Sequence, residues 1–396
     1  MNIRQSVFGE VALLSEGKVT GIDLGVLLRR LLLFETVVLK SIRLQEVSFL
    51  VRTFGKTGLS QLLSSGILKI SRESTCIIFD RMVNGVRELP LSHFSFGVLD
   101  IAHRENVLRS ELIPLQGIPG LKNVERGSLE DMILTLLVRP PADYGAQIQA
   151  QLESDLRNNA PALKAAVTQQ AKLHPEAIGR PLEVKVEETD KKVFHIITNL
   201  TDALGISDQQ AHDILKKSVS AVANLNQRLA DMQAYSAITG FTESEAPLLF
   251  GKLAGIVAPQ NPGPAERQFA RVLSIANLPE FPPGKRIDVD ALLKARGSPE
   301  CHELRAWLLK FEDMSDSQIA DMVCGIKNKI AAMIRTDVGK TMRFAATTAA
   351  GLIPGIGMAT GLAAGVIDTF LVEQVFPSPG VLAFLTDTYP SLFVSP

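Results

Sequence analysis

Cysteine is scarce in this 396-residue chain: Cys76, Cys301 and Cys324 are odd in number, far apart and without a C-x-x-C pair. That spacing argues against a disulfide framework and a cysteine zinc site, and it points to a reducing compartment, the cytoplasm. Neither sign of charge prevails, since 41 Lys and Arg face 42 Asp and Glu for a net charge of -1. No global field would therefore hold the chain on nucleic acid or on an acidic membrane, and any such contact must be local. A basic-then-apolar leader with a small-residue cleavage site is also lacking, and the opening MNIRQSVFGEVALLSEG reads as an ordinary first strand. Internal repeats and low-complexity tracts are absent. With 46% apolar and 21% charged residues, the composition is that of a folded globular protein, and the length suits two or three domains.

The spacings that carry catalysis are equally thin. The six histidines (His93, His103, His174, His195, His212, His302) form no H-E-x-x-H or paired spacing that would hold a metal. Gly339-Lys340-Thr341 has the end of a phosphate-binding loop, but position 334 is Ile where the loop needs glycine for its amides to curl around phosphate. Cys301-His302 pairs a nucleophile with a base, yet adjacent helical residues diverge by about 100° and cannot hydrogen-bond as a dyad. Glu183 and Lys185 sit two apart on an expected strand, hence on one face, as in metal-dependent nucleases. Such a site needs a further acid, for which Asp100 and Asp143 are the upstream candidates; a solvated strand face is the competing reading. No catalytic residue, metal ligand or cofactor is assigned, and an enzyme is disfavoured.

What is present begins with alternating strand and helix patterns over the first 140 residues. Val7 to Leu14 and Thr36 to Lys40 read as strands around a helix from Ile22 to Phe34, in which Leu24, Leu27, Leu28, Leu31 and Leu32 recur at helical spacing. Leu44 to Ser65 reads as two short helices interrupted by Gly55 and Gly58, with Gly66 as a left-handed cap. Ile67 to Ser71 and Cys76 to Asp80 have the form of a hairpin, and Phe94 to Ile101 is a further strand. A second hairpin, Leu182 to Val186 with Val193 to Thr198, would complete the same sheet. From residue 201 onward the pattern is almost wholly helical, beginning with a long amphipathic helix capped by Ser207 and Asp208. Thr242-Glu243-Ser244-Glu245 and Ser298-Pro299-Glu300 are further helix starts. The fold class expected is α+β, a mixed α/β amino-terminal part with a mostly helical carboxy-terminal part. The division is a mixed α/β domain over 1–200 and a helical domain over 201–396, ending in a glycine-rich apolar hairpin over 344–375 and an apolar, Pro-containing tail.

That hairpin is the unusual segment. Residues 344–367 are twenty-four without a charge, fifteen of them Ala, Thr or Gly, punctuated by Gly351, Gly355, Gly357, Gly361 and Gly365. Glycine costs about 0.5 to 1 kcal/mol relative to alanine within a soluble helix, so its recurrence every fourth residue calls for close helix packing. Upstream lie Lys327, Lys329, Arg335, Lys340 and Arg343 against Asp337, whereas 344–396 contains no Lys or Arg. The asymmetry fits an anionic membrane surface on the upstream side. Pro354, however, divides the run into pieces shorter than the ~20 residues a span needs, so a hairpin is expected rather than a crossing. Separately, Arg296, Glu300, Arg305 and Trp307 could form an ion-pair and stacking cluster at a helix start, a candidate partner site or a structural brace.

The sequence thus points to a non-enzymatic effector or scaffold, cytoplasmic and at most peripheral to the membrane. Its amino-terminal part would sense a protein partner, and its carboxy-terminal hairpin would pack internally, self-associate into a homo-oligomer, or conditionally engage an anionic membrane. A strong nucleic-acid signal is absent. The alternatives are a metal-dependent nuclease using Glu183 and Lys185, and a purely soluble structural protein.

Overall fold

A computed structural model describes residues 6–308 and 379–394 apart from 17, 42, 73–74, 82–91, 100, 159–160, 173–180, 191, 239–247, 249–267, 271, 275–277, 279 and 283–284. Within them the chain is mixed α+β, built around two sheets. The glycine-rich hairpin lies outside the described residues, as do Lys327, Lys329, Arg335, Lys340, Arg343, Asp100 and the helix start at Thr242.

The first strand, β1 (Ser6–Gly9), is followed by a hairpin of β2 (Ala12–Ser15) and β3 (Lys18–Ile22), then by helix α1 (Leu24–Leu33) and strand β4 (Thr36–Ser41). Asp23 caps α1, its carboxylate accepting from the Val26 amide at 2.9 Å. The leucine stripe is the cause of its docking: Leu27, Leu28, Leu31 and Leu32 are fully buried. The single strand expected over Val7 to Leu14 is two. The chain turns out of the sheet after Gly9, and the apolar Leu13 and Leu14, about half exposed, belong to an arm rather than to the core.

Helix α2 (Glu46–Ser64) is broken by a kink at Gly55, where φ is 69° and ψ 167°, a conformation costly for any residue with a Cβ. Gly66 ends it in the left-handed region, φ 71°, its amide bonded to Leu63 O. Strand β5 (Leu68–Arg72) then runs parallel to β4, with Val37 opposite Leu68 and Leu39 opposite Ile70.

The expected hairpin of β5 with β6 (Thr75–Arg81) does not form. β5 buries Leu68, Ile70, Ser71 and Arg72 beside β4, whereas β6 pairs antiparallel with β7 (Ser92–Leu99) in a separate sheet. After β7 come α3 (Glu105–Glu111), a 3-10 turn (Ile113–Gly117) and helices α4 (Asn123–Leu136), α5 (Tyr144–Arg157) and α6 (Pro161–Ala171). The hairpin of β8 (Val184–Asp190) and β9 (Val193–Thr198) is present as expected, but β9 pairs with β7. It completes the second, antiparallel sheet, in the order β6-β7-β9-β8. Helices α5, α6 and α8 (Asp208–Ala234) cover one face of it, joined by the short α7 (Leu200–Leu204). Phe94 and Phe194 are fully buried there with Leu152, Leu163, Leu215, Val219 and Val222. Ser207 and Gln210 form the capping box of α8.

Beyond α8 the chain is not wholly helical. Strand β10 (Ala237–Ile238) returns to pair with β1, giving a parallel sheet in the order β10-β1-β4-β5. Strand β11 (Arg286–Ile287) leads into α9 (Val289–Arg296) and α10 (Pro299–Leu308). The last segment comprises α11 (Pro379–Ala383), a π-helical turn (Phe384–Thr388), α12 (Tyr389–Ser391) and β12 (Phe393–Val394), which pairs with β11. Two-residue strands have no period for a sequence to display, which is why all three escape it. The core over α1, α2 and the parallel sheet takes Leu292, Leu304, Trp307, Phe384, Leu385, Tyr389 and Leu392 from these late segments. One core therefore draws on both sides of residue 200.

Candidate functional site

Glu183, expected to share a strand face with Lys185, immediately precedes β8, in which Lys185 lies. The Glu183 amide donates to Asn199 Oδ1 at 2.9 Å, fixing the start of the strand. Lys185 Nζ lies 2.6 Å from Glu187 Oε1, and both side chains are well exposed. Lys185 holds the Glu187 carboxyl below its ordinary range by hydrogen bond and charge. Asp143, the remaining acidic candidate among the described residues, accepts from Gln147 at 2.7 Å at the start of α5. Among the described residues no group of three or more His, Cys, Asp and Glu is placed to hold a metal ion.

The Arg296, Glu300, Arg305 and Trp307 cluster is split. Ser298 opens α10 as expected, its hydroxyl accepting from the Cys301 amide at 3.2 Å. Both arginines reach back to the carboxyl end of α1: Arg305 Nε donates to Leu32 O at 2.8 Å and Arg296 Nη2 to Glu35 O at 2.9 Å. Guanidinium groups are favoured there because the last carbonyls of a helix lack intrahelical partners and carry partial negative charge. Trp307 is buried in the core, and Glu300 is held below the ordinary carboxyl range chiefly by a backbone amide, with Ser298 adding to it. Cys301 is buried, its Sγ 3.8 Å from Leu32 O, and burial pushes its thiol above the ordinary value, whereas His302 is exposed.

Compared with protein families, curated proteins and solved structures, the chain matches none. Its chemistry has to be read from its own residues.

Three polar groupings were not visible in the sequence, because sheet register and helix packing bring their members together across long separations. His93 on β7 and His195 on β9 are register partners, and their rings stack at 4.4 Å and 8°. His212 on α8 places Nε2 3.1 Å from Asp80 Oδ2 on β6, with Lys216 Nζ 3.5 Å from the same oxygen. A carboxylate-oriented imidazole is a general-base arrangement in outline. Here the ring is buried and stacked on Phe94 at 5.9 Å, so the pair ties α8 to the sheet. Between α5 and α8 the Tyr144 hydroxyl donates to the Asp231 carboxylate, and Asn226 Nδ2 to Asp155 at 2.8 Å. Cys76 lies close by, its thiol raised to about 11 by burial and then by Glu153, so it is no ready nucleophile at neutral pH.

Leu308 of helix α10 is buried in the core, and α11 packs along α10, with Gly380 against the Glu303 side chain. The described residues on either side of 309–378 thus lie in helices packed on one another. Among the described residues no helix is long and apolar enough to cross a membrane.

Proposed function

We propose that this chain is a non-enzymatic effector or scaffold whose folded body engages a protein partner. The segment 344–375 packs internally or self-associates, and conditionally engages an anionic membrane surface beside Lys327, Lys329, Arg335, Lys340 and Arg343. The observation that carries this reading is the meeting of α10 and α11 on one core. A segment whose ends are held side by side can enter and leave an interface on the same side, as a Pro-divided apolar hairpin must. The row Gly357, Gly361 and Gly365 supplies the close helix contact through which such hairpins associate. Lys185 pairs with Glu187 instead of standing free for a reaction, and among the described residues no group of three or more His, Cys, Asp and Glu is placed to hold a metal ion. Fractionation and chemical cross-linking at low expression test the proposal. The full chain should appear partly at membranes or as cross-linked oligomers, and a chain with 344–375 replaced by a Gly/Ser linker should lose both. Identical behaviour of the two chains contradicts it and leaves a purely soluble structural protein.

A further inference from the structure

We propose that Arg296 and Arg305 form a binding site for a small oxyanion, phosphate or carboxylate, at the carboxyl end of α1. The two guanidinium groups converge on carbonyls three residues apart, Leu32 and Glu35, each through a single N–H. Five other arginines of the fold are met by carboxylates: Arg29 by Glu280, Arg72 by Glu111, Arg109 by Glu105 and Asp131, Arg126 by Glu130, and Arg157 by Glu188; Arg139 donates to the Ala102 and Leu134 carbonyls. Neither Arg296 nor Arg305 lies within salt-bridge distance of a carboxylate among the described residues. Arg296 Nη1 is moreover shut from solvent with no hydrogen-bond partner among them, an arrangement native proteins seldom leave unanswered. Burial and then the neighbouring Arg305 lower Arg296 to about 10, the charge of Glu35 offsetting them only in part. Cys301 lies beside them and could have supplied a thiolate, but burial keeps it neutral at physiological pH.

An oxyanion bridging the pair would accept from Arg296 Nη1 and from the spare N–H groups of Arg305. It would supply the missing charge, and guanidinium forks match phosphate and carboxylate geometry. This site does not rest on the membrane reading of 344–375 and fails or stands separately from it. It reduces the four-residue cluster to two ligating residues, with Glu300 and Trp307 outside it.

Calorimetric titration of the full chain tests the proposal, with inorganic phosphate and, separately, succinate, at ionic strength fixed by chloride. The wild type should bind at least one of them saturably. Tighter phosphate assigns a phosphoryl ligand, and tighter succinate assigns a carboxylate. Arg305→Gln should weaken binding at least tenfold. Arg296→Lys, which keeps the charge but loses the fork, should also weaken it while preserving the far-ultraviolet circular dichroism. The exposed Arg109→Gln should bind as the wild type does. Absence of saturable binding to the wild type, or unchanged affinity in folded Arg296→Lys, overturns the site.

Discussion

Removing residues 379–394 should unfold the protein, whereas removing the 70 residues before them should not. The last segment places Val381, Phe384, Leu385, Tyr389 and Leu392 in the core, each at most 2% exposed. At about 1.5 to 3 kcal/mol for each large apolar side chain, their loss amounts to roughly 7 to 15 kcal/mol. That is comparable to the whole stability of an ordinary domain, about 5 to 15 kcal/mol. Deletion should therefore yield an aggregating chain, and the single change Phe384→Ala should cost about 3 to 5 kcal/mol in urea unfolding. Replacing 309–378 by a linker of ~10 residues leaves all five side chains in place. It also shortens the connection between α10 and α11, which lowers the closure entropy by about 2 kcal/mol. The linker chain should be monodisperse and unfold cooperatively. Aggregation of the linker chain, or a neutral Phe384→Ala, would refute the assignment of 379–394 as the element that closes this core.

Two further perturbations have determined signs. Glu188 is lowered to about 2 by the Arg157 guanidinium and then by the Lys192 amide, from an ordinary 4.5. A lowered carboxyl contributes stability that is complete above the unfolded value and is lost as pH falls toward the folded one. Glu188→Gln should accordingly reduce the melting temperature by a constant small amount above about pH 5, with the difference closing toward pH 2; a pH-independent difference contradicts the Arg157 pairing. Gly361→Leu should disrupt stability or self-association through overpacking of about 1 to 3 kcal/mol, with Gly361→Ala much milder. Wild-type assembly of Gly361→Leu would dismiss the close-packing reading of the glycine row.

Much of the local structure was legible because its cause is local. The stripe of Leu27, Leu28, Leu31 and Leu32, the caps at Ser207 and Ser298, and the left-handed Gly66 are dictated by residues within one or two turns of each other. Pairing was not legible. β5 and β6 are adjacent, β-branched and separated by a short polar stretch, and nothing local tells β5 to choose β4. Leu13 and Leu14 belong to the run expected as one strand, yet they sit exposed on an arm, since an apolar run does not state which face is covered. The tail is recognisable in the sequence only as an apolar, Pro-containing stretch. In the fold, Pro390 lies in a short helix whose Tyr389 hydroxyl donates to Glu280 O at 2.6 Å. The cluster at Arg296 and Arg305 was legible as a cluster, but its target, the end of α1 some 260 residues earlier, was not.

The proposal of an effector with a conditional membrane hairpin is tested most directly by flotation with liposomes. A truncation after Arg343 is unsuitable, because it also removes the core side chains of 379–394. The comparison is between the full chain, the chain with 344–375 replaced by a linker, and a full chain with Lys327, Lys329, Arg335, Lys340 and Arg343 all changed to Gln. A minority of the full chain should float with anionic vesicles and much less with neutral ones, falling further as salt is raised. The linker chain should stay folded at the bottom of the gradient, and the Gln variant should lose the preference for anionic lipid. A full chain that never floats, or a linker chain that floats as well as the full one, contradicts the account.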